Sequence, residues 1–376
     1  MPIVIKWKRL DAAPPVRDLA SVVHYNQRYA FVSSARLDFQ AGTGLSPVVL
    51  DLMAALARKG KKIALVAPPP LRLPPSLLRA WFNYRVSGTL GELETDVVVG
   101  FAGDGYRFAR SKRRCRFVAF LPEVTADQFA ASAGGRRLAV VGRARRERIA
   151  SRACDLVVVT SEYARRRIAD AYELAAPRVA VVPCGVDPDE WNERTLPEHD
   201  RPRILSVVAG AGPLELSWVL GGFALAREAG VEAELHLAGT DHETMRMHSD
   251  LVRRCGIAVT CARSRDLRRS ALKAEFGACD LYVQASARAG GAPHVLWAMA
   301  TGRPVIAPAA ADLPELVGSG GNQVPFGDQE GLGRAMADVL GDKKRHRQLA
   351  ANARRRALER SWGASASRFG ELLSEL

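Results

Sequence analysis

The 376-residue chain is long enough for two domains, because a single hydrophobic core rarely grows beyond about 250–300 residues. Hydrophobic residues make up 48% of it and charged residues 25%, a balance that is typical of globular domains and excludes a disordered chain. No stretch approaches the roughly 18 apolar residues of a membrane-spanning helix, and residues 1–10 lack the apolar core of a signal peptide, so we expect a cytoplasmic protein.

The net charge of +14 is concentrated in basic runs of the first half of the chain. One run contains Arg107, Arg110, Lys112, Arg113, Arg114 and Arg116. The other contains Arg136, Arg137, Arg143, Arg145, Arg146, Arg148 and Arg152. Such a face suits an anionic membrane surface, a phosphorylated acceptor or nucleic acid, or it is a solvated helix face. We predict peripheral contact of the first run with the inner membrane surface, and nucleic acid is the least favoured partner.

The chain contains six cysteines, at 115, 154, 184, 255, 261 and 279. None of them forms a CxxC pair or stands at zinc-ligand spacing with a histidine. We therefore predict no metal site and no bound cofactor, and we expect the cysteines to be small buried apolar residues.

The clearest early elements form a strand, a glycine loop, a helix and a second strand. The strands are predicted at 29–33 and 62–66, and the Gly-Thr-Gly loop lies at 42–44. Ser46 is a good N-cap and Gly60 a good C-terminal end for the helix between them. The resulting βαβ unit has its glycine loop at the carboxyl end of a strand, where open α/β sheets bind ligands.

The same alternation continues to the end of the chain. Further strands are predicted at 96–99, 117–120, 156–160, 179–182, 204–208, 233–237, 257–260, 280–284 and 304–306. Helices fill the gaps, and Ser161 is a good N-cap for the helix after strand 156–160. Residues 329–376 are predicted to be almost wholly helical, with a break near Trp362.

We therefore predict two doubly wound, Rossmann-like α/β domains that face a cleft. The Pro-, Asp- and Glu-rich stretch 184–203 is interpreted as the linker between them. The predicted boundaries are 1–187 for the first domain, 188–355 for the second, and 356–376 for a C-terminal helix that crosses back to the first.

Several short motifs follow the glycine loop in a fixed order. They are 154–162 (CDLVVVTSE), 182–187 (VPCGVD), 279–283 (CDLYV), 297–307 (WAMATGRPVIA), 313–317 (LPELV) and 361–362 (SW). In order and spacing, the chain from about Gly42 onward resembles the retaining glycosyltransferases of GT-B fold, family 4.

The resemblance implies transfer of a sugar from a nucleotide-sugar substrate to an acceptor, with retention at the anomeric carbon and without a metal. It assigns the donor to the second domain and the acceptor to the first, and the basic first half favours an anionic or lipid-linked acceptor. The implied donor-binding residues are Gly210, Gly212, Gly290, Gly291, Ala292, Pro293 and His294, and the N-terminal glycine loop comprises Gly42, Thr43 and Gly44. A helix beginning at Pro293 directs its free N–H groups and its dipole towards a diphosphate.

The donor site departs from the family pattern at four positions. The family's Glu-x7-Glu pair aligns with Ala289 and Trp297, which cannot accept hydrogen bonds from the donor sugar and ribose. The family's diphosphate-binding Arg and Lys align with Ala209 and Leu214. Unassigned arginines nearby in sequence, at 263, 265 and 288, are the alternative source of positive charge.

The N-terminal half departs from the pattern as well. The family's histidine near the end of a central strand has no counterpart in 117–123. The carboxylates of Glu123 and Asp104 are therefore the candidate catalytic groups, although acidic residues in such loops are more often simply solvated.

Three functions remain open from the sequence. The first is an active transferase with a divergent donor site, which relies on electrostatic stabilisation of the leaving group. The second is a non-catalytic GT-B protein that binds or scaffolds a partner such as an active transferase. The third is a nucleic-acid or membrane-surface binder, which rests on charge alone.

Overall fold

The structure, a computed structural model, describes residues 3–7, 29–111, 114–128, 134–192, 200–240, 248–255, 261–264, 266–288, 290 and 292–376. Lys112, Arg113, Ala289, Gly291 and the predicted strand 257–260 lie outside the described residues. The chain forms two compact units. The first comprises Met1–Asp38, Val48–Pro183 and Trp362–Leu376, and the second comprises Phe39–Pro47 and Cys184–Ser361.

The first unit is built around a sheet whose described strands follow the order β1-β3-β2-β4-β5-β6-β7. The strands are β1 (Ile3–Trp7), β2 (Tyr29–Val32), β3 (Ile63–Ala67), β4 (Val97–Phe101), β5 (Arg116–Leu121), β6 (Leu156–Val159) and β7 (Val179–Val181). The helices are α1 (Ser46–Arg58), α2 (Pro75–Glu92), α3 (Tyr106–Ala109), α4 (Gly134–Ala153), α5 (Glu162–Tyr172) and the C-terminal helix Trp362–Ser374. The pairing is parallel except between β1 and β3.

The strands of the first sheet are apolar runs because helices cover both faces of a doubly wound sheet. In its core the ring centroids of Phe31 and Phe101 lie 5.3 Å apart, and those of Phe101 and Phe120 lie 5.1 Å apart. Phe369 of the C-terminal helix packs edge-on against Phe31 and Phe120, at 6.2 and 6.0 Å. The C-terminal helix is therefore part of the first unit's core.

The second unit is built around a parallel sheet whose described strands follow the order β10-β9-β8-β11-β12-β13. The strands are β8 (Arg203–Val207), β9 (Glu234–Ala238), β10 (Cys261–Ser264), β11 (Leu281–Val283), β12 (Val305–Pro308) and β13 (Gly321–Val324). The helices are α6 (Pro213–Glu228), α7 (Ser249–Arg254), α8 (Arg269–Ala278), α9 (Pro293–Ala300), α10 (Leu313–Val317), α11 (Gln329–Gly341) and α12 (Lys343–Leu358). The predicted pair of Rossmann-like α/β domains is confirmed.

Two sequence interpretations need correction. The stretch 184–203 was predicted to be a linker, but its described part belongs to the second unit, and Trp191 within it is fully buried. The predicted helical tail has an additional interruption at Asp342, whose carboxylate accepts hydrogen bonds from the N–H groups of Lys344 and Arg345 at 2.8 and 3.0 Å. That cap ends α11 and starts α12.

None of the helices in the described part of the chain combines the length and apolar character needed to cross a bilayer. Among the same residues, no group of three or more His, Cys, Asp or Glu side chains is arranged to hold a metal ion.

Candidate functional site

The second sheet reverses its winding between β8 and β11. The chain passes from β8 to β9 on one side and later returns to form β11 on the other side, and the two strands pair in parallel. Loops at the carboxyl ends of such strands diverge and leave a crevice for ligand. Gly210 and Gly212 follow β8, while Gly290, Ala292 and Pro293 follow β11. The topology therefore brings the two predicted sets of donor-binding residues to neighbouring strand ends.

A glutamate in the first turn of α6, Glu215, holds the loop after β8. Gly210 has a left-handed backbone with a φ of 71°, which glycine adopts without strain. The N–H of Gly212 donates to Oε2 of Glu215, the third residue of α6. Leu214, at one of the aligned basic positions, is 75% exposed. This loop already uses the Gly212 donor, so a phosphate here requires positive charge from elsewhere.

Arg288 supplies a cation at the switch point. Its Nη2 donates to the carbonyl oxygen of Gly210 at 2.8 Å, and its Nε donates to Oγ of Ser286 at 3.1 Å. Its Nε also lies 3.5 Å from Oε1 of Glu215, and the side chain is 34% exposed. The guanidinium thus connects the loops after β8 and β11 while remaining accessible to solvent. Its signal in the sequence was its position two residues before Gly290.

Helix α9 begins beside these loops. Pro293 occupies its first turn, and Ala292 precedes it in a left-handed conformation with a φ of 33°. The N–H of Gly290 donates to Oδ2 of Asp312 at 3.3 Å, which brings a carboxylate to the same loop. Pro293 has no N–H, and those of Val295 and Leu296 donate to the carbonyl oxygen of Ala292 at 3.0 and 3.4 Å, so it is the helix dipole that favours an anion here.

His294 ties the N-terminal glycine loop to α9 within the second unit. Its Nε2 lies 2.8 Å from the carbonyl oxygen of Gly42. Burial lowers the pKa of His294 to about 4, so the ring is neutral at pH 7 and its Nε2–H donates to that carbonyl. His294 therefore contributes a hydrogen bond and no positive charge.

The glycine loop is fixed by further backbone contacts in the second unit. The N–H of Gly42 donates to the carbonyl oxygen of Leu267 at 2.9 Å, and the N–H of Arg269 donates to that of Gln40 at 2.7 Å. A Cβ added at Gly42 would lie 2.8 Å from the Leu267 oxygen, so only glycine fits there. Gly44 has a φ of 73°, and Thr43 lies between the two glycines.

Replacing His294 with glutamine should reduce the loss of stability on acidification. An unfolded histidine binds a proton near pH 6.5, whereas folded His294 does so near pH 4. Between these values acid favours the unfolded state, by at most about 1.4 kcal/mol per pH unit. Glutamine keeps an N–H donor for Gly42 and does not titrate. Urea unfolding at half-unit pH steps measures the slope of the free energy of unfolding against pH.

The matched control is His346→Gln, because His346 makes the same kind of bond, at 2.8 Å, to the carbonyl oxygen of Asp280. The slope of wild type should be steeper than that of His294→Gln. Equal slopes for wild type and His294→Gln would contradict the assignment of a neutral His294.

Trp297, which we expected to stand in place of the family's second glutamate, lies in the core. Its ring stacks on that of Trp191 with centroids 4.2 Å apart and planes at 7°, and both rings are at most 1% exposed. The guanidinium of Arg269 lies 5.8 and 5.4 Å from the centroids of Trp191 and Trp297. Its Nε and Nη2 donate to the two oxygens of Glu190 at 2.5 and 2.6 Å. A cation–π pair and an ion pair fill this position.

In the first unit, the structure buries Asp104. It is 3% exposed and follows β4. The N–H of Ser34 donates to its Oδ2 at 2.6 Å, and Nδ2 of Asn83 donates to its Oδ1 at 2.8 Å. Both oxygens therefore have protein donors.

Glu123 is more accessible, with 40% of its side chain exposed. Its Oε2 accepts a hydrogen bond from Gln128 at 3.1 Å and lies 3.1 Å from Nη1 of Arg143. The described arginines of the first basic run, Arg107, Arg110, Arg114 and Arg116, are exposed. Arg107 lies over the ring of Tyr84 at 5.1 Å, and Arg116 pairs with Asp155 at 3.5 Å.

Two family models match the chain in tandem. Residues 42–190 match the model described as Glycosyltransferase Family 4, and residues 201–342 match the model described as Glycosyl transferases group 1. The MMP alpha-(1->4)-mannosyltransferase of Mycolicibacterium hassiacum is 29% identical over 218 residues. That match covers 57% of this chain and 52% of the relative, so the chain aligns with about half of the relative's length.

Solved structures agree in fold. Sucrose-phosphate synthase from Thermosynechococcus elongatus superposes with a TM-score of 0.77 at 18% identity, covering 93% of this chain and 98% of the other. HepE from Anabaena, solved in complex with UDP and glucose, superposes with a TM-score of 0.69 at 16% identity. The match covers 93% of this chain and 100% of HepE. WaaG, a glycosyltransferase involved in lipopolysaccharide biosynthesis, superposes with a TM-score of 0.69 at 18% identity. The match covers 92% of this chain and 99% of WaaG. The chain therefore has the fold of the GT-B glycosyltransferases, and its two halves match a family 4 model and a group 1 model in that order.

Proposed function

We propose that this protein transfers a hexose, with retention, from a nucleotide diphosphate-sugar bound by the second unit to an anionic or lipid-linked acceptor bound by the first. The observation that carries the proposal is that the loops after β8 and β11 start at neighbouring strand ends, at the switch point of the second sheet. A cation, Arg288, bridges the two loops there, beside the N-terminus of α9. The UDP complexes of HepE and the mannosyltransferase relative support a nucleotide-sugar donor and a hexose.

In this proposal the diphosphate binds between the loop 210–212 and the first turn of α9. Negative charge builds on the leaving phosphate as its bond to the sugar breaks, and pre-oriented donors are the largest usual source of catalysis. Arg288 and the positive end of the α9 dipole would stabilise that charge. Gly290 would allow the phosphates to approach the backbone closely, and Gly210 would do the same in the other loop.

The acidic groups of the family motif have no counterpart at Ala289 and Trp297. We propose that the Asp312 carboxylate, 3.3 Å from the Gly290 nitrogen, binds hydroxyls of the donor sugar instead. The neutral His294 would keep the loop of Gly42, Thr43 and Gly44 against α9. Glu123 remains the more accessible catalytic candidate of the first unit, since both oxygens of Asp104 are already bonded.

A non-catalytic scaffold is the second candidate. It is favoured by the Trp297 position, where tryptophan, arginine and glutamate side chains fill the space assigned to donor recognition. It is also favoured by Glu215, which occupies the Gly212 donor.

Measurements of donor binding distinguish the active transferase from the non-catalytic scaffold. Calorimetry and thermal shift would use UDP, GDP, ADP, UDP-glucose and GDP-mannose. We expect one nucleotide sugar to bind and, at about 100 times its dissociation constant, to stabilise the protein by about 2.7 kcal/mol. Failure of every compound to bind would sink the transferase proposal. Binding without release of free nucleoside diphosphate, across an acceptor panel, would favour the scaffold.

A further inference from the structure

The N-terminal glycine loop, residues 42–44, is paired with the start of α8. Ala41 and Arg268 form an antiparallel β-bridge, and backbone hydrogen bonds of 2.9 and 2.7 Å lie on either side of it. The segments on both sides of this bridge belong to the second unit. Because these backbone bonds hold the loop, its position depends on what fixes residues 267–269.

The side chain of Arg269 fixes that short segment. It is 14% exposed, and its guanidinium donates to both carboxylate oxygens of Glu190 at 2.5 and 2.6 Å. The same guanidinium lies beside the stacked rings of Trp191 and Trp297. By contrast, the side chain of the neighbouring Arg268 is 68% exposed. A forked ion pair against two aromatic rings allows little movement of residue 269, and its backbone N–H is one of those that bond to the loop.

The ring of Trp297 also supports the loop from a second direction. It lies edge-on to the ring of His294, with centroids 5.2 Å apart and planes at 74°. His294 in turn donates to the carbonyl oxygen of Gly42 at 2.8 Å. The residue that we expected in place of the family's second glutamate therefore packs against both side chains that lead to the loop, His294 and Arg269.

We propose that Arg269 is a positioning residue, whose side chain holds the glycine loop pre-formed at the border of the donor site. It acts through the backbone of residues 267–269, to which the loop is bonded. A loop that is already ordered loses little conformational freedom when a ligand binds, and this raises the affinity for the ligand. The effect on the donor rests on the proposed function, whereas the holding of the loop rests on contacts within the second unit.

The first test is amide hydrogen exchange of the full chain without ligand, followed by mass spectrometry. In Arg269→Gln the peptide that contains Gly42 should exchange about tenfold faster or more, because loss of the charged hydrogen bonds favours local opening. A peptide from the core strand β12 should exchange as in wild type. Arg269→Lys keeps the charge without the fork and should give an intermediate rate. Arg268→Gln is the matched control and should exchange as wild type does, since its side chain is exposed.

The second test measures donor affinity with the same panel of UDP, GDP, ADP, UDP-glucose and GDP-mannose. The dissociation constant of the nucleotide sugar that wild type binds should rise about tenfold in Arg269→Gln and stay unchanged in Arg268→Gln. Initial rates should show the rise in KM, with kcat within about twofold of wild type, because a loosened loop costs the ground state and the transition state equally.

Equal exchange of the Gly42 peptide in wild type and in folded Arg269→Gln would overturn the positioning role. So would equal acceleration in Arg268→Gln, or acceleration of the β12 peptide to the same degree. Faster exchange with unchanged donor affinity would overturn the link to the donor. If wild type binds no compound of the panel, the proposed function fails, and the exchange comparison still decides the role of Arg269. Urea unfolding curves establish that each variant is folded.

Discussion

Replacing Arg288 with alanine should lower kcat/KM by about 10²–10³-fold, the usual cost of removing one pre-oriented donor to developing negative charge. The side chain contacts Gly210, Ser286 and Glu215, each through a single polar contact of 2.8–3.5 Å. None of these contacts belongs to the core, so the free energy of unfolding should change by less than about 1 kcal/mol. Initial rates of nucleotide release, with the donor identified by binding, measure the effect.

Two further variants sharpen the interpretation of Arg288. Arg288→Lys keeps the positive charge but loses the planar guanidinium that can donate two parallel hydrogen bonds. It should therefore retain part of the activity that Arg288→Ala loses. Arg254→Ala is the matched control, because Arg254 is a half-exposed arginine of the same unit that pairs with Glu228 at 2.9 Å. If Arg288→Ala and Arg254→Ala have the same kcat/KM as wild type, Arg288 does not act on the diphosphate.

Replacing Trp297 with alanine should destabilise the second unit by about 3–5 kcal/mol. The substitution removes a fully buried ring, leaves a cavity against Trp191, and takes one of two aromatic faces away from Arg269. Trp297→Glu, which restores the residue type expected from the family pattern, should be at least as destabilising, because it buries a carboxylate in the same place. Urea unfolding followed by tryptophan fluorescence measures both.

Trp297→Phe is the conservative control, since it keeps an aromatic face for Trp191 and should cost less than the alanine variant. A change below about 1 kcal/mol for Trp297→Ala would mean that the stacked pair contributes little to the core. A stable Trp297→Glu variant with tighter donor binding would show instead that this position still belongs to the donor site.

Local patterns predicted most of the architecture. The apolar runs at β2 to β6 and at β8 and β11 identified strands, because strands covered on both faces are apolar throughout. The N-cap was predicted correctly at Ser161, whose Oγ accepts from the N–H of Ala164 at 3.1 Å. The short antiparallel strand β1 was missed, since its place is set by pairing with β3.

The site residues were harder to predict because their roles depend on contacts that are distant in sequence. His294 bonds to Gly42 over 252 positions, and Trp191 lies in a stretch whose composition resembled a linker. Arg288 could be named only as one of several nearby arginines, because its approach to Gly210 depends on the pairing of β8 with β11. Motif alignment identified the missing charges, whereas Arg288 could be singled out as their proposed replacement only from its contacts.

The division of the chain into units has a consequence for its biosynthesis. The second unit takes the nine-residue segment Phe39–Pro47 from early in the chain, and the first unit is interrupted by 184–361. Phe369 completes the aromatic cluster of Phe31 and Phe120, so a ribosome must translate the whole second unit before the first can close its core. During that interval the apolar surface that Phe369 covers in the folded protein stays exposed, and exposed apolar surface of this kind favours aggregation of folding intermediates.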